Sequence, residues 1–237
     1  MILAEIIVVL LITFGTSGLR SSLRLIDALL APEALNEQST TLNAPQSSAL
    51  WLDLGLQLIS AAALCGWGLL VVYLLARDRI LLPRPRLRDG LIGAGLAAII
   101  GVPGLGLYLV ALHAGWSKEV VVSAYHSGLW AGVILLLWSF ANAFAEETVV
   151  VWWLSTRLAQ LRWAPVAIIA ASAVLRGSYH LYQGVSAGAG NIVMGIVFAA
   201  VYLKIRRVWP LVFAHFFIDA VAFLGYQFLD VSRLGLS

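Results

Sequence analysis

Residues Asn142–Trp153 read NAFAEETVVVWW, so Glu146 and Glu147 stand side by side inside an apolar run. A carboxylate at the centre of a bilayer costs about 2.5–3.5 kcal/mol on insertion scales, and an adjacent pair costs more. Either this run is not in a membrane, or the bundle around it supplies the carboxylates with partners. The rest of the chain removes the first option. Of its 237 residues, 61% are hydrophobic and only 11% charged, against roughly 25% charged in a soluble domain. That leaves too little polar surface to cover a water-facing globule. Long uncharged runs, rather than short alternating segments, indicate helices and not a barrel. The predicted fold class is all-α, a polytopic transmembrane bundle of about seven to eight helices, forming a single membrane domain over 1–237.

The first apolar segment runs from Ile2 to about Leu30 and turns amphipathic after Phe14, with Leu19, Leu23, Ile26 and Leu30 on one face. The N-terminus lacks a basic n-region and a small-residue cleavage site, so it reads as the start of a retained helix. Pro32 ends that segment, and a polar loop follows to Ser48. A second helix is predicted over Leu50–Ala76 and a third over Gly90–His113. In the third, Gly101, Pro103, Gly104 and Gly106 mark a break or close packing near the middle. A fourth apolar stretch, Val120–Gln160, is too long for one perpendicular crossing. It is either one tilted helix or two with a bend near Asn142. Pro165 opens a helix to about Tyr182, GVSAGAG (184–190) reads as a flexible turn, a short helix covers Asn191–Ile205, and Pro210 sits in the first turn of a last helix ending near Leu229. There is no internal repeat.

The net charge is +3, and the basic residues cluster: Arg77, Arg79, Arg84, Arg86 and Arg88 in one loop, Arg157 and Arg162 in another, Lys204, Arg206 and Arg207 in a third. Short basic loops between apolar helices are the positive-inside signal and not a nucleic-acid surface. They place loops 77–88, 157–162 and 204–207 on the cytoplasmic side, with Arg20 and Arg24 running against the rule. Cys65 is the one cysteine, which excludes an intramolecular disulfide and a cysteine-rich metal site.

The polar groups inside apolar helices of the C-terminal half are Asn142, Glu146, Glu147, Arg176, His180, Asn191, His215 and Asp219. Unpaired, the ionisable ones sum to order 10 kcal/mol, comparable to the stability of a whole domain. A shared site explains them better than scattered accident. Arg176 and His180 share a helix face at i, i+4, as do His215 and Asp219, and Asp219 leans back toward His215. Blander readings suit the remaining polar residues. His113 is interfacial, His126 makes a packing hydrogen bond, Tyr179 and Tyr182 anchor at an interface or line the cavity with Gln183, and Asn191 caps its helix.

The order Glu-Glu, then RGSYH (176–180), then HFFID (215–219) resembles the CAAX protease and bacteriocin-processing family of membrane peptidases, also called type II CAAX prenyl endopeptidases. The resemblance covers about 141–224. Glu146 and Glu147 match the family's Glu-Glu-x-x-x-Arg, His180 its Phe-x-x-x-His, and His215 with Asp219 its His-x-x-x-Asn/Asp. Two positions depart: Val151 stands where the motif has arginine, and Arg176 where it has phenylalanine. If the two departures are one change, Arg176 carries the missing guanidinium to the glutamates from the neighbouring helix.

The resemblance implies hydrolysis of peptide bonds in membrane-associated peptide or protein substrates, with no nucleic-acid partner. Glu146 is then the general base on a water, Glu147 a partner for Arg176, His180 and His215 the groups that place the water and stabilise the oxyanion, with Asp219 and Asn142 beside them. The alternative is a catalytic divalent metal such as zinc held by Glu146, His180 and His215. Two other classes compete: a proton-coupled transporter, and a non-catalytic binding or immunity protein of the same fold. One difficulty is depth, because simple helix counting puts His180 and His215 at different levels. The expected resolution is that the 184–190 turn dips into the membrane and lines a polar cavity.

Overall fold

The elements follow the apolar runs and the residues that punctuate them. A computed structural model describes residues 1–122 and 129–228 of the chain. Helix α1 (Ile2–Ile12) meets α2 (Phe14–Leu30) at a 49° bend centred on Thr13. Strand β1 (Ser39–Leu42) lies in the polar loop, followed by α3 (Leu50–Arg77), α4 (Leu87–His113) and strand β2 (Glu119–Val122). Then α5 (Leu129–Glu146) passes through a π-helical segment (Glu147–Trp153) directly into α6 (Leu154–Gln160). Helices α7 (Pro165–His180), α8 (Val185–Ile205) and α9 (Trp209–Phe228) complete the bundle. The all-α bundle predicted from the sequence is the architecture observed, with eight helical rods among the described residues when α5 to α6 is taken as one.

Four helical rods among the described residues are long and apolar enough to cross a membrane: Leu50–Arg77, Leu87–His113, Trp130–Gln160 and Val185–Ile205. The bent pair α1 and α2 makes a fifth if it crosses as one span. The chain is an integral membrane protein. The α5–α6 rod is the most enclosed of these spans, 67% of its apolar window being buried. It forms the axis around which α3, α7, α8 and α9 pack.

The three basic loops meet at one end of the bundle. Arg207 donates to both oxygens of Asp89, Nε to Oδ1 at 2.8 Å and Nη2 to Oδ2 at 2.6 Å, and also to the carbonyl of Arg84 at 3.0 Å. At the same end Arg157, 2% exposed, is held by Glu5 at 2.7 Å and 3.0 Å and by Asp78. Trp153 Nε1 also donates to Glu5 at 2.9 Å. The early Glu5 of the first helix is therefore the counter-ion of an arginine far away in sequence. Nearer the other end of α3, Gln57 is fully buried. It accepts from Trp138 Nε1 at 2.8 Å and donates to the carbonyl of Ala44 at 3.0 Å, which satisfies polar groups that lipid could not.

Several expectations are corrected. Helix α4 is not broken: Pro103 sits inside a continuous helix. Of its glycines, Gly93 makes the close approach, since a Cβ there would meet Phe213 Cβ of α9 at 2.6 Å, whereas Gly104 and Gly106 face open space. The fourth stretch does not begin as helix at Val120. The β-branched residues there pair in parallel with β1, Thr40 opposite Val120 and Thr41 opposite Val121, and no bend occurs at Asn142. His126 lies outside the described residues. The 184–190 segment is not a flexible turn. Gly184, at φ +120°, turns the chain, and helix α8 starts at once. The small residues are used for helix contact: a Cβ on Gly195 would lie 2.7 Å from Ala173 Cα, and one on Gly188 would clash with Leu181. Asn191 is thus interior to α8, its amide donating to the Ala187 carbonyl at 3.0 Å, and it caps nothing.

Helix α7 is short for a membrane span. Its 16 residues span about 24 Å, short of the ~30 Å hydrocarbon thickness. His180 ends the helix, and the 3₁₀ turn Leu181–Gln183 follows. The backbone groups of this irregular segment find protein partners. Tyr182 N–H donates to Ser21 Oγ at 2.7 Å, Lys118 N–H to the Gln183 carbonyl at 3.1 Å, and Ser186 N–H to the Trp116 carbonyl at 3.4 Å. The segment between α4 and β2 covers the turn.

Candidate active site

The glutamate pair sits where α-helical hydrogen bonding gives way to π-helical bonding, at Glu146 and Glu147. Four consecutive β-branched residues, Thr148 to Val151, follow; they crowd the preceding turn of an α-helix. Ser172 of α7 donates to the Val150 carbonyl at 2.9 Å and takes up one of the displaced acceptors. Single π turns of this kind are frequent at functional sites. Val151 is fully buried in the apolar core.

Arg176 reaches across from α7. Its Nη2 stands 2.5 Å from Glu147 Oε1 and its Nη1 3.3 Å from Glu146 Oε2. Both Arg176 and Glu147 are 0% exposed, and the guanidinium lies 5.4 Å from the ring centre of Phe198. From α9, His215 Nδ1 faces Glu147 Oε1 at 2.8 Å. A carboxylate paired with arginine only accepts, so this nitrogen carries the proton. His215 Nε2 points toward Asp219 Oδ1 at 3.6 Å, and Asn142 on α5 lies near the same carboxyl. On α7, His180 Nδ1 faces the Arg176 carbonyl at 3.0 Å. That oxygen also only accepts, so Nε2 is the ring nitrogen left with a lone pair. His180 lies within electrostatic reach of both Glu146 and His215.

Glu146, Glu147, Arg176, His180, His215, Asp219 and Asn142 thus stand in one neighbourhood built from α5, α7 and α9. The group that sequence reading undervalued is Tyr179, buried at 7% exposure, whose hydroxyl donates to Glu146 Oε2 at 2.7 Å. Its position beside His180 was the available signal, and interface anchoring masked it. Arg157 stands apart from the site, committed to Glu5 and Asp78.

Glu146, Glu147 and His215 each offer a ligand atom, all within 4.8 Å of one another, and His180 is not in that close set. One oxygen of each glutamate is already committed. Glu147 Oε1 accepts from Arg176 and His215, Glu146 Oε2 accepts from Arg176 and Tyr179, and the His215 nitrogen facing the carboxylates bears a proton. The guanidinium supplies between the two carboxylates the positive charge a cation would bring. Glu147 Oε2, buried without a hydrogen-bond partner, and the second oxygen of Glu146 are the donors left for a divalent cation, and His215 would join them only on losing its Nδ1 proton.

A buried carboxylate pair, a guanidinium and two imidazoles from three packed helices form one cluster whose groups are those of acid–base chemistry. Residues 128–221 match the Rce1-like family model, described as type II CAAX prenyl endopeptidase Rce1-like, and this segment contains every one of the site residues named above. No curated protein and no solved structure matches the chain.

Proposed function

We propose that the protein is an intramembrane endopeptidase whose general base is Glu146. The observation that carries this reading is the difference between the two glutamates. Each carboxylate takes its two donors on one oxygen, Oε1 of Glu147 and Oε2 of Glu146, but Glu147 has no exposure whereas Glu146 keeps 7%, so the second oxygen of Glu146 is the one water can reach. Oε1 of Glu146 is therefore free to accept a proton from water. His180 Nε2 orients that water as it attacks the substrate carbonyl carbon. The oxyanion so formed is met by the Asn142 amide of α5 and by His215 of α9, which as an imidazolium between the Glu147 and Asp219 carboxylates carries a proton on Nε2 as well as on Nδ1. Glu146 then returns the proton to the departing amine as the C–N bond breaks. Arg176 takes the part of the motif arginine that Val151 cannot play, holding the carboxylates ionised and in place. The substrates are peptides presented at the membrane, prenylated C-termini being the class the family description names. Loops 77–88, 157–162 and 204–207 face the cytoplasm by the positive-inside rule.

One observation favours a second reading, a non-catalytic binding protein of the same fold: the guanidinium satisfies both glutamates, as a retired site would. Cleavage of a farnesylated C-terminal peptide in detergent by the wild type and by His180→Ala separates the two. Loss of cleavage in the variant supports the endopeptidase, and no cleavage by folded wild type on any membrane peptide removes it.

A further inference from the structure

The matched family segment begins at residue 128, yet one support of the site comes from the chain's first helices. The bend at Thr13 turns Phe14 inward. Thr13 Oγ1 donates to the Val9 carbonyl at 2.7 Å, fixing the end of α1. Phe14 is 5% exposed and packs on Tyr179, ring centres 4.8 Å apart, with Trp67 edge-on to its other side at 5.4 Å. Tyr179 in turn donates to Glu146 Oε2 at 2.7 Å and lies 4.7 Å from the His180 ring. Helix α2 is held against α7 by close approach of Gly18 to Ser178 and by Ser21 Oγ, which accepts from Tyr182 N–H.

We infer that Tyr179 is a positioning residue for Glu146, and that Phe14 sets it. The inference rests on the endopeptidase reading only for its kinetic consequence. A carboxylate has two oxygens on one rigid plane. Fixing Oε2 with the Tyr179 hydroxyl and Arg176 Nη1 fixes where Oε1 points. Arg176 is shared with Glu147 and stands farther from Glu146, at 3.3 Å, so the shorter Tyr179 bond is the one that selects the rotamer. The phenol is itself kept from swinging by the Phe14–Trp67 aromatic contact. The kinked α1–α2 pair is then part of the site and not only its wrapping.

Tyr179→Phe removes the hydroxyl and little else. It is expected to lower kcat about tenfold, the scale of one hydrogen bond, with KM within about twofold. Phe14→Leu keeps an apolar side chain but removes the ring contact. It is expected to lower kcat in the same direction, and the double variant should be no slower than Tyr179→Phe, because both act through one bond. Wild-type kcat in Tyr179→Phe, or losses that multiply in the double variant, overturn the inference. A second readout needs no cleavage. The infrared difference between wild type and Glu146→Gln isolates the Glu146 carboxylate band, and that band is expected to move in both Tyr179→Phe and Phe14→Leu. An unmoved band overturns the positioning role even if the protein proves not to be a peptidase. A moved band in a protein that cleaves nothing overturns the endopeptidase reading alone.

Discussion

Arg176 Nη2 and Glu147 Oε1 meet at 2.5 Å with no solvent exposure on either side chain. The pair joins α7 to the π-helical start of the central rod, and a second nitrogen of the same guanidinium reaches Glu146. Removing one partner of a buried ion pair leaves the other charge uncompensated, at a cost of about 3–5 kcal/mol. Arg176→Phe restores the motif residue at that position and should lose stability on this scale, read by thermal unfolding in detergent. Adding Val151→Arg to it should recover part of the loss, because the motif places the guanidinium there. A double variant no more stable than Arg176→Phe would mean that the departures at Val151 and Arg176 are two independent changes and not one.

Chelation separates acid–base from metal chemistry. The carboxylate oxygens and the His215 nitrogen that approach one another are already bonded to Arg176, Tyr179 and each other. Cleavage by protein incubated with a strong chelator should equal that of untreated protein, and elemental analysis should find substoichiometric zinc. Loss of activity on chelation, restored by added zinc, would contradict the assignment of charge to the guanidinium.

The Arg157 cluster should bear on stability without touching chemistry. Arg157 binds Glu5, Asp78 and Gln160 at the basic end of the bundle. Arg157→Met removes the partner of Glu5, which stays about a quarter exposed beside Trp153, and should cost about 1–3 kcal/mol, measured by denaturant unfolding in detergent. The folded fraction should retain wild-type kcat. A selective fall in kcat with unchanged stability would show that this end of the rod communicates with the glutamates.

Helix α8 is placed by glycine. A side chain at Gly195 meets Ala173 Cα and lies 3.4 Å from Arg176 Cδ. Gly195→Val should cost about 1–3 kcal/mol by overpacking and also lower cleavage, because relief of the clash moves Arg176. Destabilisation with full activity per folded molecule would mean that the guanidinium tolerates displacement.

The sequence disclosed the membrane bundle because apolar run length is a local property, and it disclosed Glu146, Glu147, His180 and His215 because charge inside such runs is expensive. Arg176 was legible for the same reason, being the one cation on the apolar face that carries His180. What stayed hidden depended on contacts distant in sequence. The pairing of β1 with β2, the bond between Glu5 and Arg157, and the contact from Phe14 through Tyr179 to Glu146 leave no local pattern. The glycines of 184–190 misled in an instructive way. Composition alone does not distinguish a turn from a helix face that must approach another closely, and in this segment only Gly184 needs the positive φ that glycine permits.

The most direct measurement compares wild type with Glu146→Gln, both folded in the same detergent, on a farnesylated C-terminal peptide and on a transmembrane peptide. Cleavage of at least one of them by wild type, reduced about 100-fold or more in Glu146→Gln, is the expected result for a general base. Equal rates from the two proteins would contradict the role of Glu146, and absence of cleavage by both would contradict the peptidase itself.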